Sequence, residues 1–275
     1  MKIAIIGCGY VGKVVARYWH QDVGLDVTVT TTTPAKITEL AAIFRQAIVL
    51  QGNDREAMQN LVQNQDVILL SVGAKNANLY VETYLQTSKI LAEILKHNST
   101  TVKQVIYTST CSIYGNQDGA LVDEDSPVNK DKPNVETLQQ TEEILLSIAK
   151  ENLRVCILRL GGIYGPGREL VKIFSRVAGT TRPGKGNEPS NWIHLDDIVG
   201  AIEFARQQQL QGIYNLVDDS QLINRELIDK VCEKHGLAKV YWDESLPSVR
   251  NYNARISNQK IKAAGYQLKH PEIML

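Results

Sequence analysis

The chain has 275 residues, 30 of them basic and 30 acidic, for a formal net charge of zero and a pI near 7.0. That balance argues against a nucleic-acid binder held mainly by phosphate neutralisation, which needs a basic excess or patch. Hydrophobic residues at 43% and charged residues at 22% exclude a disordered chain. A chain of this length buries a sizeable core without disulfides or a structural metal.

The elements expected in chain order alternate from the start. Strands are expected at Lys2–Ile6, Asp26–Thr30, Ala47–Leu50, Asp66–Val72, Val102–Thr108 and Arg154–Leu160. Each is short, rich in Val and Ile, and followed by Gly, Thr or Ser, as strands buried on both faces are. Helices are expected between them at Tyr10–His20, Pro34–Phe44, Arg55–Val62, Tyr80–Lys96 and Val135–Lys150. The longest carries Val81, Tyr84, Leu85, Leu91 and Leu95 on one face, the stripe of a helix lying on a sheet. Repeated strand–helix alternation predicts an α/β fold, a Rossmann-type doubly wound parallel sheet.

After Leu160 the texture changes. Gly161–Arg168 and Thr180–Asn191 read as loops, Asp196–Gln207 and Asn224–His235 as helices, and Gly212–Val217 as a strand. The expected organisation is a first, Rossmann-type domain over residues 1–160. A smaller C-terminal α/β lobe over 161–275 is partly interleaved with it. Cys8, Cys111, Cys156 and Cys232 form no Cys-x-x-Cys pair, so no zinc knuckle or thioredoxin-like site is expected. No leader-like segment precedes the first strand, and no apolar run approaches the ~18 residues of a membrane span. The expectation is a reduced cytoplasmic protein, with no metal, membrane or nucleic acid among its partners.

Gly7-Cys8-Gly9-Tyr10-Val11-Gly12 is Gly-x-Gly-x-x-Gly between a strand and a helix. The first glycine permits a tight turn, the second lets a pyrophosphate approach the backbone, and the third permits close helix–strand packing. In that setting the motif predicts dinucleotide binding. The opening Lys2–Gly12 also resembles UDP-sugar 6-dehydrogenases, but no later cysteine has the glycine-rich context those enzymes need. The carboxylate expected at the end of the second strand, for a ribose hydroxyl, is missing. Thr30-Thr31-Thr32-Thr33 stands there, with Lys36 nearby. These residues make either a polar turn or a receptor for a 2′-phosphate, which points to NADP ahead of NAD.

Tyr107–Gly115 resembles the Ser-Ser-x-x-x-Val-Tyr-Gly segment of extended short-chain dehydrogenases/reductases, the NAD-dependent epimerase/dehydratase family. Arg159–Arg168, Trp192–Asp197 and Arg255–Tyr266 resemble three further motifs of that family, in the same order. The resemblance implies NAD or NADP as cofactor and a small-molecule substrate, commonly a nucleotide sugar, and it leaves room for a homodimer. Thr110 matches the catalytic Ser/Thr. The implied cofactor set is Gly7, Gly9, Tyr10, Val11, Gly12, Thr31, Thr32, Asn53, Gly73, Ala74, Thr108, Leu160 and Ile163. Arg168, Arg182 and Arg250 lie where the family places groups for a substrate diphosphate.

One departure is chemical. The family's Tyr-x-x-x-Lys falls on Asn134 and Leu138, and no tyrosine lies between Tyr114 and Tyr164. Asn134 supplies no proton near neutral pH, and Leu138 makes no electrostatic adjustment. Tyr114, Tyr164 and His194 are the remaining acid/base candidates. The tyrosines read more simply as packed turn residues. His194, beside Asp196 and Asp197, reads more simply as the start of an acid-capped helix. Glu142 and Glu143 read as a solvated helix face. Two functions therefore stand: a nucleoside-diphosphate-sugar epimerase, dehydratase or reductase with a degenerate site, or an NAD(P)-binding sensor or scaffold without turnover.

Overall fold

The computed structural model describes residues 1–128, 133–250 and 252–275. In chain order the strands are β1 (Lys2–Ile6), β2 (Asp26–Thr31), β3 (Gln46–Val49), β4 (Val67–Leu70), β5 (Gln104–Thr110), β6 (Asn116–Val122), β7 (Arg154–Leu160), β8 (Gly162–Tyr164), β9 (Thr181–Pro183), β10 (Trp192–His194), β11 (Gly212–Leu216), β12 (Tyr241–Asp243) and β13 (Asn253–Ile256). Seven of them form one sheet in the order β11-β7-β5-β4-β1-β2-β3. The pairings β1 with β2, β1 with β4, β2 with β3 and β4 with β5 are all parallel, in the doubly wound pattern. Continuous apolar runs explain the parallel core: Ile3, Ala4, Ile5, Ile68, Leu69 and Leu70 are fully buried. Strand order reverses at β1, so the ligand crevice of such a sheet lies beyond the carboxyl ends of β1 and β4.

The helices are α1 (Tyr10–Arg17), α2 (Ile37–Ala41), α3 (Arg55–Val62), α4 (Thr87–His97), α5 (Pro133–Leu146), α6 (Leu170–Phe174), α7 (Leu195–Gln207), α8 (Asn224–Lys234) and α9 (Gln259–Ala263). Two expected helices change winding. The one begun by α1 continues through a wide turn at Tyr18–Asp22, and α4 is preceded by another at Val81–Gln86. The first wide turn accompanies a fully buried Trp19, whose Nε1 donates to Glu203 at 2.7 Å. Among the described residues, no helix is long and apolar enough to cross a membrane.

The chain divides into two compact units. The first comprises Met1–Ser109, Lys130–Arg159 and Val199–Tyr214, and the second Thr110–Asn129, Leu160–Ile198 and Asn215–Leu275. The first unit is packed around residues such as Ala4, Ile68, Leu91, Val105 and Ile157. The second has its own core of Tyr164, Leu170, Phe174, Leu227, Val231 and Val240.

Three parallel strand pairs build the second unit: β8 with β10, β9 with β12, and β6 with β13. These correct the expectation of loops at Gly161–Arg168 and Thr180–Asn191. Strands of three residues leave no periodicity to read, and Asn116–Val122 mixes Gly, Asp and Gln into a strand without alternation.

Glu142 also corrects the sequence reading. It lies in the interior, not on a solvated face. Its carboxylate accepts the Ser109 hydroxyl at 2.6 Å and the Arg159 guanidinium at 2.6 Å and 3.1 Å. Both ion-pair partners are almost wholly buried.

Candidate functional site

At the end of β1 the chain turns at Gly7 with φ +98°, and a Cβ there would stand 2.5 Å from the Ser71 carbonyl oxygen. The turn is anchored to the next strand. Gly7 N–H donates to the Thr30 hydroxyl at 3.1 Å, and Cys8 N–H donates to the Thr30 carbonyl at 2.8 Å. A Cβ on Gly12 would lie 2.2 Å from the Gly7 carbonyl oxygen, so the third glycine is required by backbone contact. At Gly9 a Cβ would meet nothing within 4 Å, which leaves the backbone open to a ligand. Gly9 also caps α1 without a side-chain hydrogen bond, and no acidic residue occupies the first turn. The helix's own first turn therefore supplies no acid to compensate the partial positive charge of that end.

This turn forms one wall of a cleft of about 400 Å³, within the size range of small-molecule sites. Gly7, Gly9, Thr31, Thr32 and Gly73 of the expected cofactor set line it. Tyr10, Val11 and Gly12 follow as the first residues of α1. Asn53 is exposed beside Gly52, and the lining on that side comes from Gln51 and Gly52. Ala74 follows the lining Gly73, and its N–H donates to the Tyr84 hydroxyl at 3.2 Å. Thr108 pairs its hydroxyl with that of Ser71 at 3.1 Å. Leu160 and Ile163 belong to the second unit, at the end of β7 and in β8.

Thr30, Thr31, Thr32 and Thr33 all reach the cleft, joined by the exposed Lys36. The run is fixed in place: Gln51 Nε2 donates to the Thr32 carbonyl at 3.1 Å, and Leu50 N–H donates to the Thr31 carbonyl at 3.0 Å. Lys75, Leu79, Glu82, Thr83 and Thr87 complete the lining. Sequence reasoning missed these: Lys75 and Leu79 lie outside the expected elements, and the wide turn at Val81–Gln86 interrupts the helical period around Glu82, Thr83 and Thr87. Burial pushes the Cys8 thiol up to about 11, so it stays protonated and is no nucleophile. Lys13 is engaged by Glu39.

In the second unit, Thr110 is half-buried at the end of β5. Its hydroxyl accepts Ser112 N–H at 3.2 Å and lies 3.0 Å from the Ser112 hydroxyl. Tyr114 is fully buried and donates to Asn215 at 2.8 Å. The Tyr164 hydroxyl accepts Met274 N–H at 3.0 Å, and burial pushes it up to about 12. Tyr164 is therefore not set to exchange a proton near neutral pH. In the first unit, the positions that would carry the family's Tyr and Lys lie on α5, where Leu138 is buried.

His194 ends β10, and its Nδ1 accepts Asp196 N–H at 3.2 Å. Burial, and then the neighbouring His270, hold its pKa below the usual histidine value. His270, absent from any sequence motif, lies tilted against it with ring centroids 4.1 Å apart.

Of the three arginines, Arg168 is exposed on the tight turn Gly165–Arg168, and Arg182 is half-buried on β9. Arg250 lies over the Tyr252 ring at 5.8 Å, and its buried Nη1 has no hydrogen-bond partner among the described residues. Burial lowers its pKa, while Glu188 raises it and Arg182 lowers it further. An unsatisfied buried guanidinium N–H is a donor awaiting an acceptor.

The model of the NAD dependent epimerase/dehydratase family matches residues 3–216. The chain belongs to that family. Protein YeeZ of Escherichia coli (strain K12) is 27% identical over 284 residues, covering 98% of this chain and 97% of that protein. Two solved structures share the fold of this family member. MoeE5 in complex with UDP-glucose and NAD is 18% identical with a TM-score of 0.79, over 98% of this chain and 94% of that one. Human epimerase family protein SDR39U1 with NADPH is also 18% identical with a TM-score of 0.79, over 99% and 96%.

Proposed function

We propose that this protein binds a nicotinamide dinucleotide in the cleft of its first unit, with NADP(H) preferred over NAD(H). We propose further that its second unit takes a nucleotide-linked sugar. The observation that carries the cofactor reading is one wall of the cleft. An open glycine turn at an uncapped helix end stands beside four threonines and Lys36, where a ribose-binding carboxylate would otherwise stand. Gly9 and the α1 terminus would hold the pyrophosphate, while Thr31, Thr32 and Lys36 would meet a 2′-phosphate. The cofactor, when bound, supplies hydride transfer. Related structures with NAD, NADPH and UDP-glucose support the class. Arg250, with its unsatisfied Nη1, would receive a substrate phosphate oxygen, and Thr110 would donate a hydrogen bond to the reacting oxygen. Asn53, Ala74, Thr108, Leu160, Ile163, Arg168 and Arg182 complete the proposed set. The four buried cysteines form no disulfide, which suits a cytoplasmic location.

A second reading, a cofactor-binding sensor or scaffold without turnover, is favoured by the buried Leu138 in the place of the family's lysine. Calorimetric titration with NADPH and NADH tests the cofactor reading. NADPH should bind more tightly, and Lys36→Ala should weaken NADPH by about tenfold while leaving NADH unchanged. Equal or tighter NADH binding overturns the preference, and binding of neither overturns the site.

A further inference from the structure

We infer that His194, Asp196 and His270 form a site for a late first-row divalent cation, zinc foremost, that staples the carboxyl-terminal segment to the first turn of α7. The three side chains come from three places: the end of β10, the second residue of α7, and the segment after α9. His270 Nε2 lies 3.3 Å from Asp196 Oδ2, and His194 Nδ1 lies 3.6 Å from the same oxygen. One ligand atom from each residue lies within 4.8 Å of the other two. A tetrahedral zinc with bonds near 2.0–2.1 Å holds its ligand atoms ~3.3 Å apart. Two edges of the triangle are therefore already near coordination spacing, and a rotation of the partly exposed His270 ring closes the third.

The frame around these ligands is rigid. The buried Asp197 carboxylate accepts Lys269 N–H at 2.6 Å and His270 N–H at 3.0 Å, which fixes the His270 backbone opposite β10. The Tyr164 ring packs edge-on to His194, with centroids 5.1 Å apart. The ion would displace two contacts, the Asp196 N–H bond to His194 Nδ1 at 3.2 Å and the hydrogen bond between His270 Nε2 and Asp196 Oδ2 at 3.3 Å. Asp196 is half exposed, so water can enter and fill the fourth coordination position. Two imidazoles with one carboxylate select zinc, copper or nickel over magnesium, which prefers an all-oxygen octahedron. Downstream, Ile273 and Leu275 pack against the core of the second unit, so coordination at His270 would hold that whole tail.

Zinc titration calorimetry on the untagged full-length protein, with magnesium as the control ion, tests the site. Hydrogen exchange of residues 268–275 is followed alongside. One zinc per chain should bind, with slower exchange in the tail and no magnesium binding. His270→Ala and Asp196→Asn should each weaken zinc by about tenfold or more, and His270→Cys should restore it, because a thiolate is an equally good ligand. Zinc binding undiminished in both weakening variants would place the ion elsewhere. No binding up to millimolar zinc, or binding without any change in tail exchange, likewise overturns the proposal.

Discussion

Replacing Glu142 with Gln tests the interior ion pair without changing side-chain volume. The carboxylate accepts three donors, Ser109 Oγ, Arg159 Nε and Arg159 Nη2, at 2.6, 3.1 and 2.6 Å. The substituted amide would keep one oxygen acceptor and turn an NH₂ group toward donors, and the buried Arg159 charge would lose the Glu142 carboxylate. Breaking such a pair on one side costs about 3–5 kcal/mol. At roughly 2–4 °C per kcal/mol for a chain of this order of size, the melting temperature should fall by about 6–20 °C. The double variant Glu142→Leu/Arg159→Met removes both charges and should recover most of that loss, since an apolar pair of similar volume has no charge to desolvate. Thermal unfolding followed by circular dichroism on wild type, Glu142→Gln, the single variants Glu142→Leu and Arg159→Met, and the double variant closes the cycle. A loss below about 1 kcal/mol for Glu142→Gln, or a double variant no better than either single one, would refute the account of a paired interior charge.

Four other outcomes follow from the structure. Gly12→Ala places a methyl group 2.2 Å from the Gly7 carbonyl oxygen and should cost about 1–3 kcal/mol of stability. Gly9→Val should leave stability nearly unchanged while abolishing dinucleotide binding, a contrast that unfolding curves and calorimetry together reveal. Burial pushes Asp218 up to about 8, with one carboxylate oxygen buried and unsatisfied among the described residues. Because the folded state retains this proton to higher pH than the unfolded chain, stability should fall as pH rises from about 4 to about 8. In Asp218→Asn that slope should flatten, as urea denaturation at a series of pH values would show. Thr110→Ala should leave dinucleotide affinity intact. The native protein should turn over UDP-glucose very slowly or undetectably, as assayed by product analysis, since general acid–base help is worth ~100–10,000-fold. Brisk UDP-glucose turnover unaffected by Thr110→Ala would put the reacting centre elsewhere.

The parallel core was legible because Lys2–Ile6, Asp26–Thr31 and the strands after them are continuous apolar or β-branched runs, a local signal. The glycine turn was legible for the same reason: its requirements lie within six consecutive residues. What escaped was long-range. His270 reaches His194 from far along the chain, and no pattern near either histidine announces the other. Glu142 is a different kind of miss, since the sequence did hold a clue. Leu138, Thr141, Glu142 and Leu145 follow one another at helical i, i+3, i+4 and i+7 spacing, and all four are buried. The charge of Glu142 outweighed its place on that stripe, and its partner Arg159 belongs to a strand, where no helical spacing could reveal it. Short strands such as β8, β9 and β10 exist through pairing with segments far along the chain, so their own three residues carry little of the information.

The double attachment of the glycine turn to Thr30 has a consequence for engineering. Both hydrogen bonds from Gly7 and Cys8 end on that one residue, one on its hydroxyl and one on its carbonyl. Thr30 is thus a natural splice point: everything before it belongs to the anchor of the anion turn, and everything from Thr31 to Lys36 is an exchangeable cassette. Grafting in an acidic cassette from an NAD-selective relative should re-specify the coenzyme so long as the junction keeps a threonine or serine at 30. The same graft begun one residue earlier would unfasten the turn it was meant to serve.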